Sequence, residues 1–365
     1  MEYTNAMNPN HSWKLYSQND EVWQAMLDDC SKAQKSIVLE QFIFVNDDFG
    51  KKLINICKER AQKGIKVRFL WDAAGSFSMG GSTLKTELEK SGIELLFWKT
   101  LIPGFFKIKN LRSWYFRNHR RTLVIDDTIG YTGSICVDQE LKNWRDTNVR
   151  ITGPIVREMR LAFEQMWSRA LKTQRIRYQH LPKSSEFRYV TNYPAPGRRH
   201  IYSELVKAIR KAKMNIYITT PYFVPTHRLL RTMKASSKRG VDVRLILPEH
   251  SDHYAVDLGA RAFFTTLLKS GIKIFLYKGN MIHCKAITID DTWSTVGSMN
   301  LDNISLLYNF EANIVTTNDN FSKELKAHFI EDIEESEQVH LKDWQKRSFF
   351  QKVLEKLAHL VKKFL

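Results

Sequence analysis

Four segments of this chain occur twice, in one order, and that repetition limits the fold more than any other feature. KAQKSIVLEQFIFV (32–45) resembles KAKMNIYITTPYFV (211–224), and AQKGIKVRFLWD (61–72) resembles SSKRGVDVRLILPE (236–249). LEKSGIELLFWK (88–99) resembles LLKSGIKIFLYK (267–278), and HRRTLVIDDTIGYTGS (119–134) resembles HCKAITIDDTWSTVGS (283–298). The chain is an internal duplication.

Within each copy, short apolar runs alternate with helical stretches. SIVLEQFIFV, KVRFLW, IELLFW and TLVID are rich in branched and aromatic residues and bounded by Gly, Asp or Ser, the pattern of strands. Intervening stretches such as FGKKLINICKERAQKG predict an α/β layered fold with helices packed on the sheets. Each unit is therefore expected to be a mixed sheet flanked by helices, the two paired by pseudo-twofold symmetry around one active site. Polar, basic, proline-bearing sequence in KTQRIRYQHLPKSSEF and NYPAPGRRH marks a join near 172–200. The expected divisions are 1–175, 176–335 and a C-terminal segment, 336–365.

The copies differ in one spacing. Ser91 precedes His119 by 28 residues, whereas Ser270 precedes His283 by 13. The surplus of 15 falls in LIPGFFKIKNLRSWYFR, which combines Phe105, Phe106, Trp114, Tyr115 and Phe116 with Lys107, Lys109, Arg112 and Arg117. Lying just before His119, it is expected to edge the same cleft.

Charge narrows the partners without choosing one. Against 39 Asp and Glu stand 56 Lys and Arg, a net charge of +17, which favours nucleic acid or an anionic membrane surface. The four cysteines (Cys30, Cys57, Cys136, Cys284) are far apart with no CxxC pair, so reduced, buried thiols in a cytosolic compartment are expected. MEYTNAMNPNHSWK lacks a basic region followed by an apolar run, and no stretch reaches the ~18–20 apolar residues of a spanning helix. Membrane contact is expected to be peripheral.

Chemistry concentrates in the last repeat. The second copy reads His283-x-Lys285-x4-Asp290-x6-Gly297-Ser298-x-Asn300, and the first His119-x-Arg121-x4-Asp126-x6-Gly133-Ser134-x-Cys136. Residues two apart on a strand share a face, so each His lies beside a cation while Cys284 points away. Two such copies supply two imidazoles, two cations and two hydroxyls to one pocket. That set suits a phosphodiester: cations hold the non-bridging oxygens, one His attacks phosphorus and the other protonates the leaving alcohol. A carboxylate on each ring's distal nitrogen would fix its tautomer. Glu311 follows His283 by 28 residues and Asp146 follows His119 by 27, equivalent places in the two copies. Asp126 and Asp290, at strand ends, are expected to anchor turns or pair with a nearby base.

These motifs resemble the phospholipase D superfamily, whose signature is HxKx4Dx6GSxN in two copies. TPYFVP (220–225), SDHYAVDLGAR (251–261), WRDTNVRITGP (144–154) and FEQMW (163–167) are similar to its bacterial cardiolipin synthases. The likeness is to a shorter branch without spanning helices. It implies two phospholipase D-like units and a covalent phosphatidyl-histidine formed without metal or other cofactor, with His119 preferred over His283 as nucleophile. It implies transfer that makes cardiolipin from phosphatidylglycerol. His119, His283, Lys285, Arg121, Asp146 and Glu311 would form the catalytic set, and Ser134, Ser298 and Asn300 would assist in binding. Hydrolysis to phosphatidic acid is the same chemistry with water as acceptor. A phosphodiesterase acting on nucleic acid, or a lipid-binding scaffold without activity, are rival readings, and nucleic acid fits the synthase-like segments less well. The implied partner is an anionic phospholipid membrane of phosphatidylglycerol and cardiolipin, the location cytoplasmic and peripheral, and a homo-oligomer is compatible.

The first motif departs from the pattern twice, with Arg121 in place of Lys and Cys136 in place of Asn. Arginine keeps the charge with a different geometry, and a thiol is a weak hydrogen-bonding group. At about 100° per residue, Phe349, Phe350, Val353, Leu354, Leu357, Leu360, Val361 and Phe364 fall on one side of a helix, with Lys352, Lys356, Lys362 and Lys363 opposite. This basic amphipathic end suits an anionic interface. The preceding acidic run EDIEESE (331–337) reads as a solvated helix face or linker.

Overall fold

The computed structural model describes residues 11–79, 83–99, 116–173 and 185–360. Most of the 101–117 insertion, and the helix face beyond Leu360, lie outside the described residues. The chain divides into two compact units: Met1–Lys142 with Asn148–Tyr189, and Asn143–Thr147 with Val190–Leu365.

The strands of the first sheet are Ser12–Gln18 (β1), Ser36–Gln41 (β2), Lys66–Asp72 (β3), Ile93–Trp98 (β4), Thr122–Ile125 (β5), Ile129–Gly133 (β6) and Arg145–Thr152 (β7). They lie in the order β1-β7-β6-β5-β2-β3-β4. Parallel neighbours need crossovers, and helices Asp48–Gln62 and Leu84–Lys90 link β2, β3 and β4 in this way. β5 then turns back antiparallel to β2, and β6 and β7 follow as hairpin-like partners.

The second unit repeats this plan. Its strands are Phe187–Asn192 (β8), Asn215–Thr219 (β9), Phe223–Val224 (β10), Asp242–Pro248 (β11), Lys273–Tyr277 (β12), Ala286–Ile289 (β13), Trp293–Gly297 (β14), Leu301–Asp302 (β15), Glu311–Thr316 (β16) and Ser336–Val339 (β17). The main sheet runs β17-β12-β11-β9-β13-β14-β16-β8, which, read backwards, is the first sheet with β17 added at one edge. Even the short β10–β15 pair, Phe223 opposite Leu301, has its counterpart in a bridge from Phe44 to Val137.

Both faces of each sheet are covered, so the central strands β2 and β9 are buried throughout. Ile37 and Leu39 of β2 join Phe69, Trp71, Leu123 and Ile125 in one core, where Phe44 stacks on Trp71 at 4.2 Å. The alternate residues Val38 and Glu40 are buried too, and helix Ile155–Ala170 packs against β2 and β5. In the second unit Ile216, Ile218, Leu245, Leu247 and Ile287 form the equivalent core. Helix Asp319–Glu334 covers the other side, with Phe329 stacked on Tyr217 at 4.8 Å.

One expectation needs correcting. The acidic run at 331–337 is not simply a solvated face: Asp332 is 4% exposed and ion-paired, Glu335 accepts from the Tyr277 hydroxyl at 2.6 Å, and residues 336–339 are strand β17. Helical charge patterning cannot see a carboxylate that turns inward at the last turn.

The turns after β5 and β13 are built alike. Asp126 and Asp127, and Asp290 and Asp291, all have positive φ, a geometry that Asp tolerates in type I′ turns. Asp126 accepts the backbone N–H groups of Gln34, Lys35 and Ser36 at 2.7–2.9 Å, and Asp290 those of Lys213, Met214 and Asn215 at 2.8–3.0 Å. Each carboxylate thereby ties the motif hairpin to the start of the neighbouring central strand. Asp290→Ala strands three donors, and a loss of about 2–4 kcal/mol in urea unfolding is expected. Asp290→Asn, which keeps one carbonyl oxygen and tolerates positive φ, is expected to lose about half as much.

Candidate active site

The motif was expected on a strand, but His119 and Arg121 lie in the extended segment just before β5 begins at Thr122, and Arg120 between them donates to Ala162 O at 3.3 Å. His119 is 7% exposed, with the edge of Phe42 against its ring at 4.8 Å. Arg121 lies along the imidazole: Nη2 is 3.1 Å from Nε2, Nη1 is 3.4 Å from Nδ1, and Nη1 donates to His119 O at 3.0 Å. Arginine has no acceptor, so a ring nitrogen that takes its N–H presents a lone pair.

The two departures of the first motif meet each other. Arg121 Nε donates to Cys136 Sγ at 3.3 Å, and both residues are buried. The orienting contact is thus made by a longer cation reaching a thiol. Ser134, also fully buried, precedes a turn in which Ile135 N donates to Asn148 Oδ1 at 2.8 Å.

Two buried acids that sequence reasoning missed hold the approach to His119. Asp72 takes both Arg117 Nε, at 2.9 Å, and Asn118 N, at 2.8 Å, and the Asn118 amide donates to Glu40 at 2.8 Å. Burial pushes the Asp72 carboxyl up although Arg117 pulls it down, and burial pushes Glu40 up to about 7 against the pull of Arg120 and Asn118. Removing Asp72 would take the carboxylate away from a buried guanidinium, and Asp72→Ala is expected to cost about 3–5 kcal/mol in urea unfolding. The available signal was the pairing of polar residues at 117, 118 and 120 with acids at the ends of two apolar strands.

In the second unit, His283 is 6% exposed and Lys285 3%. Lys285 Nζ donates to His283 O at 2.7 Å, and Trp144 tilts against the His283 ring at 5.4 Å. The carboxylate on the ring is Asp146: its Oδ2 lies 3.2 Å from His283 Nδ1, and its Oδ1 accepts Thr147 N at 2.8 Å. Counting along the chain had matched Asp146 to His119, the histidine 27 residues before it. The structure matches it to His283 because residues 143–147 belong to the second unit. An imidazole bonded to a carboxylate through Nδ1 has its proton there and keeps Nε2 for the reaction.

Glu311 is fully buried, with Oε2 taking the Ser298 hydroxyl at 2.5 Å and Oε1 that of Ser305 at 2.7 Å. Ser298 Oγ also accepts Ala312 N at 3.0 Å, so its hydroxyl is fixed from two sides. Gly297 is required where it stands, since a Cβ would meet Ala312 O at 2.4 Å. Asn300 N donates to Ser305 Oγ at 2.9 Å, and Asn313, another residue that sequence reasoning missed, accepts Met299 N at 3.2 Å just as Asn148 serves the first copy. Among the described residues no group of three or more His, Cys, Asp or Glu is arranged to hold a metal ion.

A family model described as "Cardiolipin synthase, PLD-like domain" matches residues 26–167 and 205–333, once on each copy of the repeat. The chain belongs to this family of phospholipase D-like enzymes. A cardiolipin synthase of Clostridium perfringens is 32% identical, the match covering 95% of this chain and 75% of that protein. A probable cardiolipin synthase of Bacillus subtilis is 30% identical over 97% of this chain and 72% of its own. Among solved structures, phosphatidylserine synthase of Haemophilus influenzae superposes with a TM-score of 0.74 at 14% identity, covering 97% of this chain and 95% of that one, a likeness of fold.

In this phospholipase D-like enzyme, Arg121 and Cys136 are expected to behave as one unit. Arg121→Lys alone should slow turnover, and adding Cys136→Asn, a better acceptor for an ammonium, should recover part of the loss. A double-mutant cycle on initial rates is expected to give a coupling of about 1 kcal/mol or more. Strictly additive effects would show that the two departures are independent.

Proposed function

We propose that the chain makes cardiolipin by transferring a phosphatidyl group from one phosphatidylglycerol to the glycerol of another, through a phosphatidyl-histidine. The observation that carries this reading is His283 bonded to Asp146 beside buried Lys285, within one copy of a motif whose other copy sets His119 against Arg121. Membership of the cardiolipin synthase family supports the choice of lipid.

In the proposed reaction, His119 forms a bond to phosphorus while the bond from phosphorus to the head-group glycerol breaks. His283 gives that glycerol its proton as it leaves. The primary hydroxyl of the second phosphatidylglycerol then loses its proton to His283 and attacks phosphorus, releasing His119 and cardiolipin. Arg121 and Lys285 neutralise the non-bridging oxygens, and a phosphate is a better acceptor for Arg121 than an imidazole, so substrate binding would draw the guanidinium off the ring. Ser134, Ser298 and Asn300 would assist in binding, and Asp146 would stabilise the imidazolium of His283. Glu311 is the proposed counterpart in the catalytic set.

A positioned acid or base typically supplies ~10²- to 10⁴-fold. His119→Ala and His283→Ala are each expected to lower product formation by at least that much, read by mass spectrometry of lipids from phosphatidylglycerol vesicles. Cardiolipin and glycerol as products support transfer; phosphatidic acid would mean that water is the acceptor, and near-normal rates in both variants would refute the histidine scheme.

The proposal also places the enzyme on the cytoplasmic surface of an anionic membrane. Four free, buried thiols suit a reducing compartment. No helix among the described residues is long and apolar enough to cross a membrane. Helix Phe349–Leu360 presents Phe349 and Phe350, 75% and 80% exposed, beside exposed Val353 and Leu354. It follows a segment anchored by Trp344, which packs on Phe264 at 4.9 Å and under Arg347 at 4.4 Å. Exposed rings next to a net charge of +17 suit an interface of phosphatidylglycerol. Phe349→Glu with Phe350→Glu is expected to reduce co-sedimentation with phosphatidylglycerol vesicles at least ~10-fold without lowering thermal stability. Unchanged sedimentation would assign attachment elsewhere.

A further inference from the structure

The carboxylate that meets His283 stands on a short segment whose own anchoring is unusually complete. Arg145 N donates to Met281 O at 3.0 Å, and His283 N donates to Arg145 O at 2.8 Å, so the backbone leading into the motif histidine is laced to Arg145 around Ile282. The Arg145 side chain then turns away and forms a two-pronged ion pair with Asp332, Nε to Oδ1 at 2.6 Å and Nη2 to Oδ2 at 3.0 Å. Its remaining nitrogen, Nη1, donates to the Asp146 carbonyl and lies 3.3 Å from Thr147 Oγ1. Thr147 in turn meets Cys284 Sγ at 2.9 Å. Arg145 is 7% exposed and Asp332 4%.

These contacts leave little but a side-chain rotation to Asp146, and Thr147 N constrains that as well. A guanidinium fork has a fixed plane, so the position of Asp332 on helix Asp319–Glu334 sets where Nη1 holds the Asp146 carbonyl. We propose that Asp332, acting through Arg145, is a positioning residue that sets the Asp146 carboxylate on the His283 ring. The proposal rests on the histidine chemistry described above. A purely structural ion pair would tie residues 143–147 to the helix without influencing how Asp146 meets the ring, and the two roles predict different couplings.

The test compares wild type, Asp332→Asn, Asp146→Asn, the double variant and Asp332→Glu in the full-length protein, with phosphatidylglycerol vesicles as substrate. Misplacement of a catalytic pair by a fraction of an ångström is expected to lower kcat for Asp332→Asn roughly 10- to 10²-fold while KM stays within about 2-fold. Because Asp332 acts through Asp146, the double variant should be within about 2-fold of Asp146→Asn alone. Asp332→Glu, which retains the ion pair, should recover most of the rate. Multiplicative losses in the double variant, or a wild-type kcat for Asp332→Asn, would overturn the proposal. A readout independent of turnover is the ring Nδ1–H proton resonance of His283, expected downfield in wild type and moved upfield or lost to exchange in Asp332→Asn. An unchanged resonance overturns the positioning role. Absence of lipid turnover in wild type, with the resonance responding as expected, would instead refute the reaction and leave the positioning role standing.

Discussion

A histidine buried beside a cation does chemistry only when something decides which of its nitrogens carries the proton. In the second unit that decision falls to Asp146, and the rest of the local structure serves it. Lys285, two residues on, donates its ammonium to the His283 carbonyl just before β13 begins. The turn that follows is tied by Asp290 to the start of β9, and the Gly-Ser corner is fixed by Glu311 and Ala312. Asp146 lies far from His283 in the chain, so the pairing is a tertiary achievement, made by the five residues 143–147 that belong to the second unit although the sequence on either side of them belongs to the first.

Duplication has left two similar frames with different contents. Around His119 the neighbouring residues are Arg117, Asn118 and Arg120, and the strands beside them end in or carry Glu40 and Asp72. At the corresponding places around His283 stand Met281, Ile282 and Cys284, with Thr219 and Pro248 on the strands. A buried arginine demands a buried acid, and the polar set of the first copy stands together, with none of its members at the matching places of the second. Arg121 and Cys136 show the same interdependence on a smaller scale: the longer cation reaches a residue whose sulfur replaces an amide. The contacts of His119 include the Arg121 guanidinium, and those of His283 include the Asp146 carboxylate.

Much of this was legible in the sequence. Repeated segments revealed two like units, each a mixed sheet flanked by helices, and the spacing of the last repeat named Arg121 and Lys285 as neighbours of the two imidazoles. What spacing could not supply was any contact made across long stretches of chain. Asp146 was counted from the wrong histidine. Asp332 was hidden in an acidic run that composition reads as solvated, and Glu40 and Asp72 sit at the ends of strands where apolar neighbours dominate the pattern. Asn148 and Asn313 carry no motif of their own and emerge only as acceptors for the turn after each Gly-Ser corner. Strand β17 follows a helix with no apolar alternation, and its place comes from pairing with the edge of β12.

The claim beneath all of this is that an imidazole of this chain becomes covalently bonded to phosphorus. Phosphatidylglycerol labelled at phosphorus, mixed with the enzyme, quenched at high pH where phosphohistidine survives, and followed by peptide mass spectrometry tests it most directly. The expected result is label on the peptide containing His119, and none on that peptide in His119→Ala. Normal lipid turnover with no label on either histidine peptide at any time would contradict it.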